Sequence, residues 1–408
     1  MYNLGIHLLS FVLKVLAHFN TKIKLGVLGR QSTFEILSQN LTPIDKTIWF
    51  HCASLGEYEQ GLPVFECVRH KFPQHKIILT FFSPSGYEIR KNTKIADIVV
   101  YLPLDTTSNA ERFISVVKPE LTIFVKYDIW PNFLHELKKQ GRTAYLISAL
   151  FRKNQSFFKF YGRKTRSALF AFKHIFVQNK SSELLLKNIN YNNVTVTGDT
   201  RFDRVTNQLS QDNTLDFISE FKDASTCIVI GSSWAEDEAI LIPYINANAS
   251  ETIKFIIAPH EIDGTHIKSI RSKLEVKTAQ FSEKEGKSLK DYSVFIIDTI
   301  GLLTKIYNYA NIAYVGGAMG KTGLHNILEP AVFGIPVIIG KNYKKFPEAS
   351  AMIEKAGVIS VKNDIELKTV LDTLLTSTSY RKSEGLKNAR YIGHNKGAVV
   401  QIMDTIRI

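Results

Sequence analysis

The feature that most constrains this chain is a series of short, nearly continuous apolar runs, each followed by a stretch long enough for a helix. In the first half they read TIWFHCA (47–53), KIILTFFS (76–83), DIVVYLPL (97–104), LTIFVKYD (121–128), TAYLISAL (143–150), HIFVQN (174–179) and VTVTGD (194–199). A strand with one wet face alternates apolar and polar residues. A run without alternation is covered on both faces, as in parallel sheets flanked by helices. The intervals leave room for the crossover helices that parallel strands require. A second series begins at TCIVIGSS (226–233) and continues through KFIIAPHE (254–261), VFIIDTIG (294–301), IAYVGGAM (312–319) and PVIIGK (336–341). Two doubly wound, Rossmann-like α/β domains are therefore expected. The polar stretch 205–225 carries no strand pattern and reads as the linker, and 380–408 reads as helix. The domain reading is an amino-terminal segment 1–25, a first α/β domain 26–205 and a second 206–408.

Composition supports two cores. The 408 residues exceed one ordinary domain, and 45% are apolar. No stretch is polar, repetitive or Pro-rich enough to read as disordered. The three cysteines, Cys52, Cys67 and Cys227, are odd in number and widely spaced. That argues against a disulfide framework and against a zinc site, and the expectation is free, buried or neutral thiols. The formal charge of +13 attracts polyanions, whether nucleic acid, acidic lipid or phosphorylated substrates. No nucleic-acid recognition motif accompanies it, so nucleic acid is not the expected partner.

Residues 2–19, YNLGIHLLSFVLKVLAHF, are apolar but interrupted by His7, Lys14 and His18, with Lys22, Lys24 and Arg30 following. A spanning helix needs about 20 apolar residues with few charges. Three readings stay open. A helix lying in the membrane interface would bury Leu8, Leu9, Phe11, Val12, Val15 and Leu16 and let Lys14 reach the headgroups. A short signal anchor would leave the basic flank in the cytoplasm. A first helix could simply pack on the body. A cleaved signal peptide fits less well, because the positive charge follows the apolar run.

In the first domain, HCASLGE (51–57) ends a strand and opens a helix, placing Glu57 in the first turn at the carboxyl edge of the sheet, where ligands of open α/β sheets bind. Ser54 and Gly56 are expected to ease the turn. Glu57 there is either a general base facing a hydroxyl or an ordinary first-turn acid. LTIFVKYDIWPN (121–132) brings Lys126 to another strand end, either to stabilise negative charge or to pair with Asp128 on the surface. VTVTGDTRFD (194–203) turns at Gly198 and presents Arg201, which could hold a carboxylate or phosphate by two hydrogen bonds or form a structural pair with an aspartate.

The second domain offers nucleotide-binding features. Pro259 and His260 follow an apolar strand, and Gly301 stands where a helix should begin, with free N–H groups suited to phosphate. YVGGAMGKTGLHNILEPAVFGIPVIIG (314–340) passes Gly316, Gly317, Gly320 and Gly323 and opens a helix with Asn326 as the expected cap. Glu329 near that helix start can accept from two ribose hydroxyls, or is another first-turn acid. The run lacks the GK[ST] of a phosphate loop. The domain's first strand leads into GSSWAEDE (231–238) without G-x-G-x-x-G, which argues against NAD. A dehydrogenase or a periplasmic-type binding protein would share the two-domain outline, so the sites must discriminate.

The motif series resembles the Kdo (3-deoxy-D-manno-octulosonic acid) transferases of lipopolysaccharide synthesis, in order and over nearly the whole chain. HCASLGE (51–57) is similar to that family's H-x-x-S-x-G-E, KYDIWPN (126–132) to E-T-E-x-W-P-N, and VTGDTRFD (196–203) to V-T-G-x-x-K-F-D. PHE (259–261), DTIGLL (298–303) and YVGGAM…TGLHNILE (314–329) follow as counterparts of P-R-H, D-T-M-G-E-L and F-V-G-G-S…G-G-H-N-x-L-E. The resemblance implies a GT-B fold, two Rossmann-like domains with a cleft between them. It also implies a membrane-surface enzyme on the cytoplasmic face of the inner membrane, transferring Kdo from CMP-Kdo to a lipid A precursor with inversion and without metal or other cofactor. It assigns Glu57 as general base and Lys126 and Arg201 as transition-state stabilisers. Pro259, His260, Ile300, Gly301, Leu302, Asn326, Ile327, Leu328 and Glu329 become the CMP contacts, the four aliphatic ones through backbone or packing. Lys126 stands where some relatives carry Glu, Arg201 where many carry Lys, His260 where many carry Arg and Leu302 where many carry Glu. The alternatives are a GT-B transferase using a UDP-hexose, and a nonenzymatic binder of anionic lipid.

Overall fold

The computed structural model describes residues 2–408 and holds two units, Met1–Arg204 with Lys396–Ile408, and Val205–Asn395. The first contains β1 (Thr47–Cys52), β2 (Lys76–Phe81), β3 (Ile98–Tyr101), β4 (Leu121–Val125), β5 (Thr143–Ala149), β6 (His174–Val177) and β7 (Val194–Val196). These form one parallel sheet in the order β3-β2-β1-β4-β5-β6-β7. The second contains β8 (Thr226–Ser233), β9 (Ile253–Pro259), β10 (Thr278–Gln280), β11 (Val294–Ile296), β12 (Ile312–Val315), β13 (Val337–Ile339) and β14 (Val358–Ser360). Their order is β10-β11-β9-β8-β12-β13-β14, again parallel throughout.

The unbroken apolar runs are the sheet interiors. Every residue of β1 and β4 is buried. Successive side chains serve opposite cores: Trp49 and Phe124 join one cluster with Ile78 and Phe133, while Ile48, Phe50 and Ile123 join another with Leu79 and Phe65. Strands β10 and β14 have no counterpart in the sequence reading. Each is three residues long and lies at a sheet edge.

The carboxyl-terminal boundary differs from expectation. The terminal segment is two helices, Thr378–Asn395 and Ala398–Thr405, separated at Gly397, whose φ of 109° is left-handed. The second helix returns to the first unit, burying Ile402 and Ile406 in the cluster that holds Val64 and Phe65. Asp203 accepts from the Gly397 and Ala398 N–H groups at 2.8 and 3.2 Å, fastening that helix start. The region expected as linker is largely helical. Helix Thr200–Gln208 runs through the boundary between the units, and Asp216–Lys222 follows.

The amino-terminal segment forms helix Tyr2–Leu16, followed by Thr21–Gln31. Its first turn is docked: Tyr2 donates to Asp105 at 2.7 Å and Asn3 to Thr107 at 3.1 Å. Beyond it, Leu4, Leu8, Phe11 and Val15 are exposed, Leu4 by 74% and Phe11 by 66%. Among the described residues no helix is long and apolar enough to cross a membrane. The three cysteines are free thiols; Cys52 and Cys227 are buried, and burial pushes the Cys227 thiol up to about 12.

Because Ile402 is fully buried on the first unit, Ile402→Ala should lower that unit's stability by about 2–5 kcal/mol. Urea unfolding followed by fluorescence should show the first unit's transition moving to lower denaturant.

Candidate active site

In an open parallel sheet, ligands bind beyond the carboxyl ends of the strands, where the strand order reverses. That point lies between β1 and β4 in the first unit and between β8 and β12 in the second. The candidate residues gather at both.

After β1, Ser54 is extended (φ −146°, ψ −178°) and caps helix Leu55–Lys71, of which Glu57 is the third residue. Gly56 lies inside the helix with no positive φ, so the turn is made before it. The Ser54 hydroxyl donates to Glu57 Oε2, and Lys126 Nζ stands 3.7 Å from Oε1. The carboxylate sits at the positive end of the helix with 11% of its side chain exposed.

Lys126 therefore pairs with Glu57 and not with Asp128. Its backbone is left-handed (φ 69°), and its N–H donates to Ile147 O at 2.8 Å. A non-glycine residue there is strained by about 1–2 kcal/mol and persists where neighbours over-determine it. The neighbours are evident. Asp128 hydrogen-bonds His51 Nε2 and accepts from the Trp130 indole N–H at 3.0 Å. His51, fully buried, contacts Thr80 Oγ1 through Nδ1 at 2.7 Å. His51, Asp128 and Trp130 thus pin the loop that carries Lys126. The sequence reading gave His51 and Trp130 no role and Asp128 only that of an alternative partner for Lys126, although His51 opens the H-x-x-S-x-G-E motif.

Arg201 is bound to Asp199. Its Nε and Nη2 donate to Asp199 Oδ2 at 2.9 and 2.7 Å, and Gln60 donates to Oδ1 at 2.9 Å. Burial would raise the Asp199 carboxyl, but the Arg201 charge, its hydrogen bonds and Gln60 hold it below the usual carboxylate value. The arginine–aspartate pair does form, with the partner two residues before Arg201. Gly198 makes the preceding turn at φ 93°. Gln60 lies one helical turn beyond Glu57, so one helix supplies the carboxylate and braces the arginine.

In the second unit, β8 leads into helix Ala235–Asn248, whose third residue is Asp237. This is the counterpart of Glu57, but fully buried. It accepts from the N–H groups of Trp234 at 3.0 Å and Gly317 at 2.8 Å and from the Tyr314 hydroxyl at 2.8 Å. Burial raises its carboxyl, against the pull of those bonds. Asp237 builds the glycine loop after β12. Gly316 has no room for a Cβ, which would meet Ser232 O at 2.3 Å, and Gly317 is left-handed at φ 93°.

His260 follows β9 and Pro259. Its ring stacks on Trp234 with centroids 4.5 Å apart and lies 4.5 Å from the His325 ring. Trp234 Nε1 donates to His325 Nε2 at 3.2 Å. Burial depresses both imidazoles, His325 to about 4 with His260 adding to the effect. Trp234 and His325 were missed from sequence because Trp234 is 26 residues from His260, and only the adjacency of β8 and β9 unites them.

Gly301 is left-handed (φ 90°) with open space around it, and Ile300 is 84% exposed. The helix that follows begins after Leu302 and is only Leu303–Ile306. Asn326 is not the cap of the next helix, Leu328–Ala331. That position belongs to Ile327, while Asn326 Oδ1 accepts from the Leu328 N–H at 3.2 Å and its amide donates to Glu329 at 3.0 Å. Ile327 and Leu328 are buried as whole residues.

Two doubly wound α/β units, each with polar groups at its switch point, make up the GT-B fold. Solved structures agree on the fold. UDP-GlcNAc 2-epimerase from Neisseria meningitidis covers 87% of this chain and 100% of its own, with TM-score 0.59 and 14% identity. Acinetobacter baumannii MurG covers 88% and 99%, with TM-score 0.55 and 11% identity. Residues 26–204 match the family model of 3-deoxy-D-manno-octulosonic-acid transferase (kdotransferase). The 3-deoxy-D-manno-octulosonic acid transferase of Haemophilus influenzae is 28% identical over 90% of this chain and 87% of its own length. That of Aquifex aeolicus is 28% identical over 84% and 91%, and that of Chlamydophila psittaci 26% over 86% and 82%. Residues 26–204 thus carry a Kdotransferase family domain, and most of the chain is similar to Kdo transferases of several bacteria.

Two outcomes follow from the site. Lys126→Gly should hold or raise the thermal midpoint, since relief of about 1–2 kcal/mol of backbone strain offsets the roughly 0.5–1 kcal/mol lost to a freer unfolded chain. Lys126→Ala keeps the strain and should melt lower than the glycine variant; the reverse order would contradict it. His325 stays neutral in the fold while its unfolded counterpart takes a proton below about 6.5. The unfolded state thus binds more protons between there and about 4, so stability is lost as pH drops through that window. Melts at pH 7 and pH 5 should show the drop, and His325→Gln should shrink it.

Proposed function

We propose that this chain transfers Kdo from CMP-Kdo to a hydroxyl of a lipid A precursor, with inversion and without a metal, at the cytoplasmic face of the inner membrane. The observation that carries the reading is the Glu57–Lys126 pair at the first unit's switch point. A carboxylate there can take the acceptor's proton as its oxygen attacks the anomeric carbon of Kdo. The new glycosidic bond forms as the bond to the CMP phosphate breaks, and the electron pair leaves with CMP. Lys126 and Arg201 supply fixed positive charge to the carboxylate and phosphate of the reacting sugar.

The donor half of the reading rests on the second unit. Pro259 and His260, backbone groups of Ile300, Gly301 and Leu302, and Asn326, Ile327, Leu328 and Glu329 are the groups proposed to hold CMP. The depressed imidazole of His260, already stacked on Trp234, is suited to a neutral contact with a base. Glu329, linked to Asn326, is placed to accept from ribose hydroxyls.

Membrane attachment rests on the amino-terminal helix, which exposes Leu4, Leu8, Phe11 and Val15 and carries Lys14 beside that stripe. Such a helix lies in the headgroup region, and the excess positive charge draws it to acidic lipid.

Incubation with CMP-Kdo and a lipid A precursor, with products weighed by mass spectrometry, should show addition of Kdo. Glu57→Gln should cut turnover by about 10²–10⁴-fold while leaving the melting profile unchanged. Near-normal turnover in that variant would remove Glu57 from the base role.

A further inference from the structure

The second unit contains a basic cavity that none of the proposed CMP contacts lines. It opens between the glycine loop after β12 and the loop after β13 and has a volume of about 820 Å³. Lys321 and Thr322 form one rim; Lys341, Lys344 and Lys345 form the other, with Phe346 beside them. The two loops are fastened together. The Asn342 N–H donates to Ala318 O at 2.8 Å, and its side-chain amide donates to Met319 O at 3.1 Å and Gly320 O at 2.7 Å. Gly340 presses so closely that a Cβ would meet Met319 N at 2.3 Å.

Four exposed ammonium groups thus border one space on a braced frame. None of the four forms a salt bridge among the described residues. An acid lies over this loop: Glu236, whose carboxylate covers Gly320, where a Cβ would meet Oε1 at 2.6 Å. The four lysines outnumber that carboxylate and Glu348, three residues past Lys345, and leave a positive excess. Like charges lining one cavity repel until an anion enters. A phosphate monoester concentrates two negative charges on one group, where CMP-Kdo spreads its two over a phosphodiester and a carboxylate, and lysine is a common phosphate ligand. The volume lies within the ~300–1,000 Å³ typical of ligand pockets and exceeds what a bare phosphate fills.

We propose that this cavity is a phosphate-monoester subsite that holds a phosphorylated sugar. On the reading that the chain moves Kdo onto a phosphorylated glycolipid, that sugar belongs to the acceptor. The test uses the full chain with glucosamine 1-phosphate as soluble probe, read by calorimetry and by protection of lysines from acetylation in mass spectrometry. Saturable binding is expected, with Lys321, Lys341, Lys344 and Lys345 protected and no comparable binding of glucosamine. The triple variant Lys341→Ser, Lys344→Ser, Lys345→Ser should bind the probe at least tenfold more weakly and bind CMP as before. With a phosphorylated acceptor its KM should rise, and with the dephosphorylated acceptor it should match the parent chain. Unprotected lysines, or equal binding by the variant, would overturn the subsite. So would lysine-dependent binding only to phosphatidylcholine vesicles containing phosphatidic acid, which would make the cluster a membrane patch. A parent chain that binds the probe with those lysines protected but moves no Kdo would uphold the subsite and reject the transferase reading of its occupant.

Discussion

Lys126 can stand beside Glu57 only because its backbone is held in the left-handed region. With φ at 69° the chain turns sharply off the end of β4, bringing Nζ within 3.7 Å of Oε1 across the switch point. A lysine does not adopt that conformation by preference. It is imposed by Ile147 accepting its N–H and by Asp128, two residues on, bound to a fully buried histidine. His51 lies on β1 and Asp128 just beyond β4, so the adjacency of those two strands both creates the crevice and locks the loop that furnishes it.

The same loop continues into helix Pro131–Lys139, and its far end is tied to the amino terminus of the protein. Asp105, fully buried, accepts from the N–H groups of Asn132 and Phe133 at 3.0 Å each and from the Tyr2 hydroxyl. Burial raises the Asp105 carboxyl, and these donors oppose the rise. The helix with the exposed apolar side chains is therefore joined, by its first turn, to the segment that positions Lys126.

Glu57 and Asp237 occupy the same place in their units, third in the helix after the first strand, and do opposite things. Glu57 meets a serine hydroxyl and an ammonium and keeps part of its side chain in solvent. Asp237 is enclosed by three hydrogen-bond donors and spends its acceptor capacity on building the glycine loop. A buried carboxylate so satisfied is costly to disturb, and its work is structural.

The amino-acid pattern alone determined the two parallel sheets, because apolar runs without alternation leave no other way to cover both faces. It also located the strand ends at Glu57, Lys126, His260 and Gly316, and the motif series carried the resemblance to Kdo transferases. Strands β10 and β14, three residues each at a sheet edge, were not read, and the return of Ala398–Thr405 to the first unit depends on a distant apolar surface. Only the tertiary structure decided which carboxylate met which partner. Lys126 chose Glu57 over the nearer Asp128, Arg201 chose Asp199, and Trp234 joined His260 and His325. Sequence spacing sets which residues reach a sheet edge, whereas pairing there depends on strand order and on backbone dihedrals that distant hydrogen bonds impose.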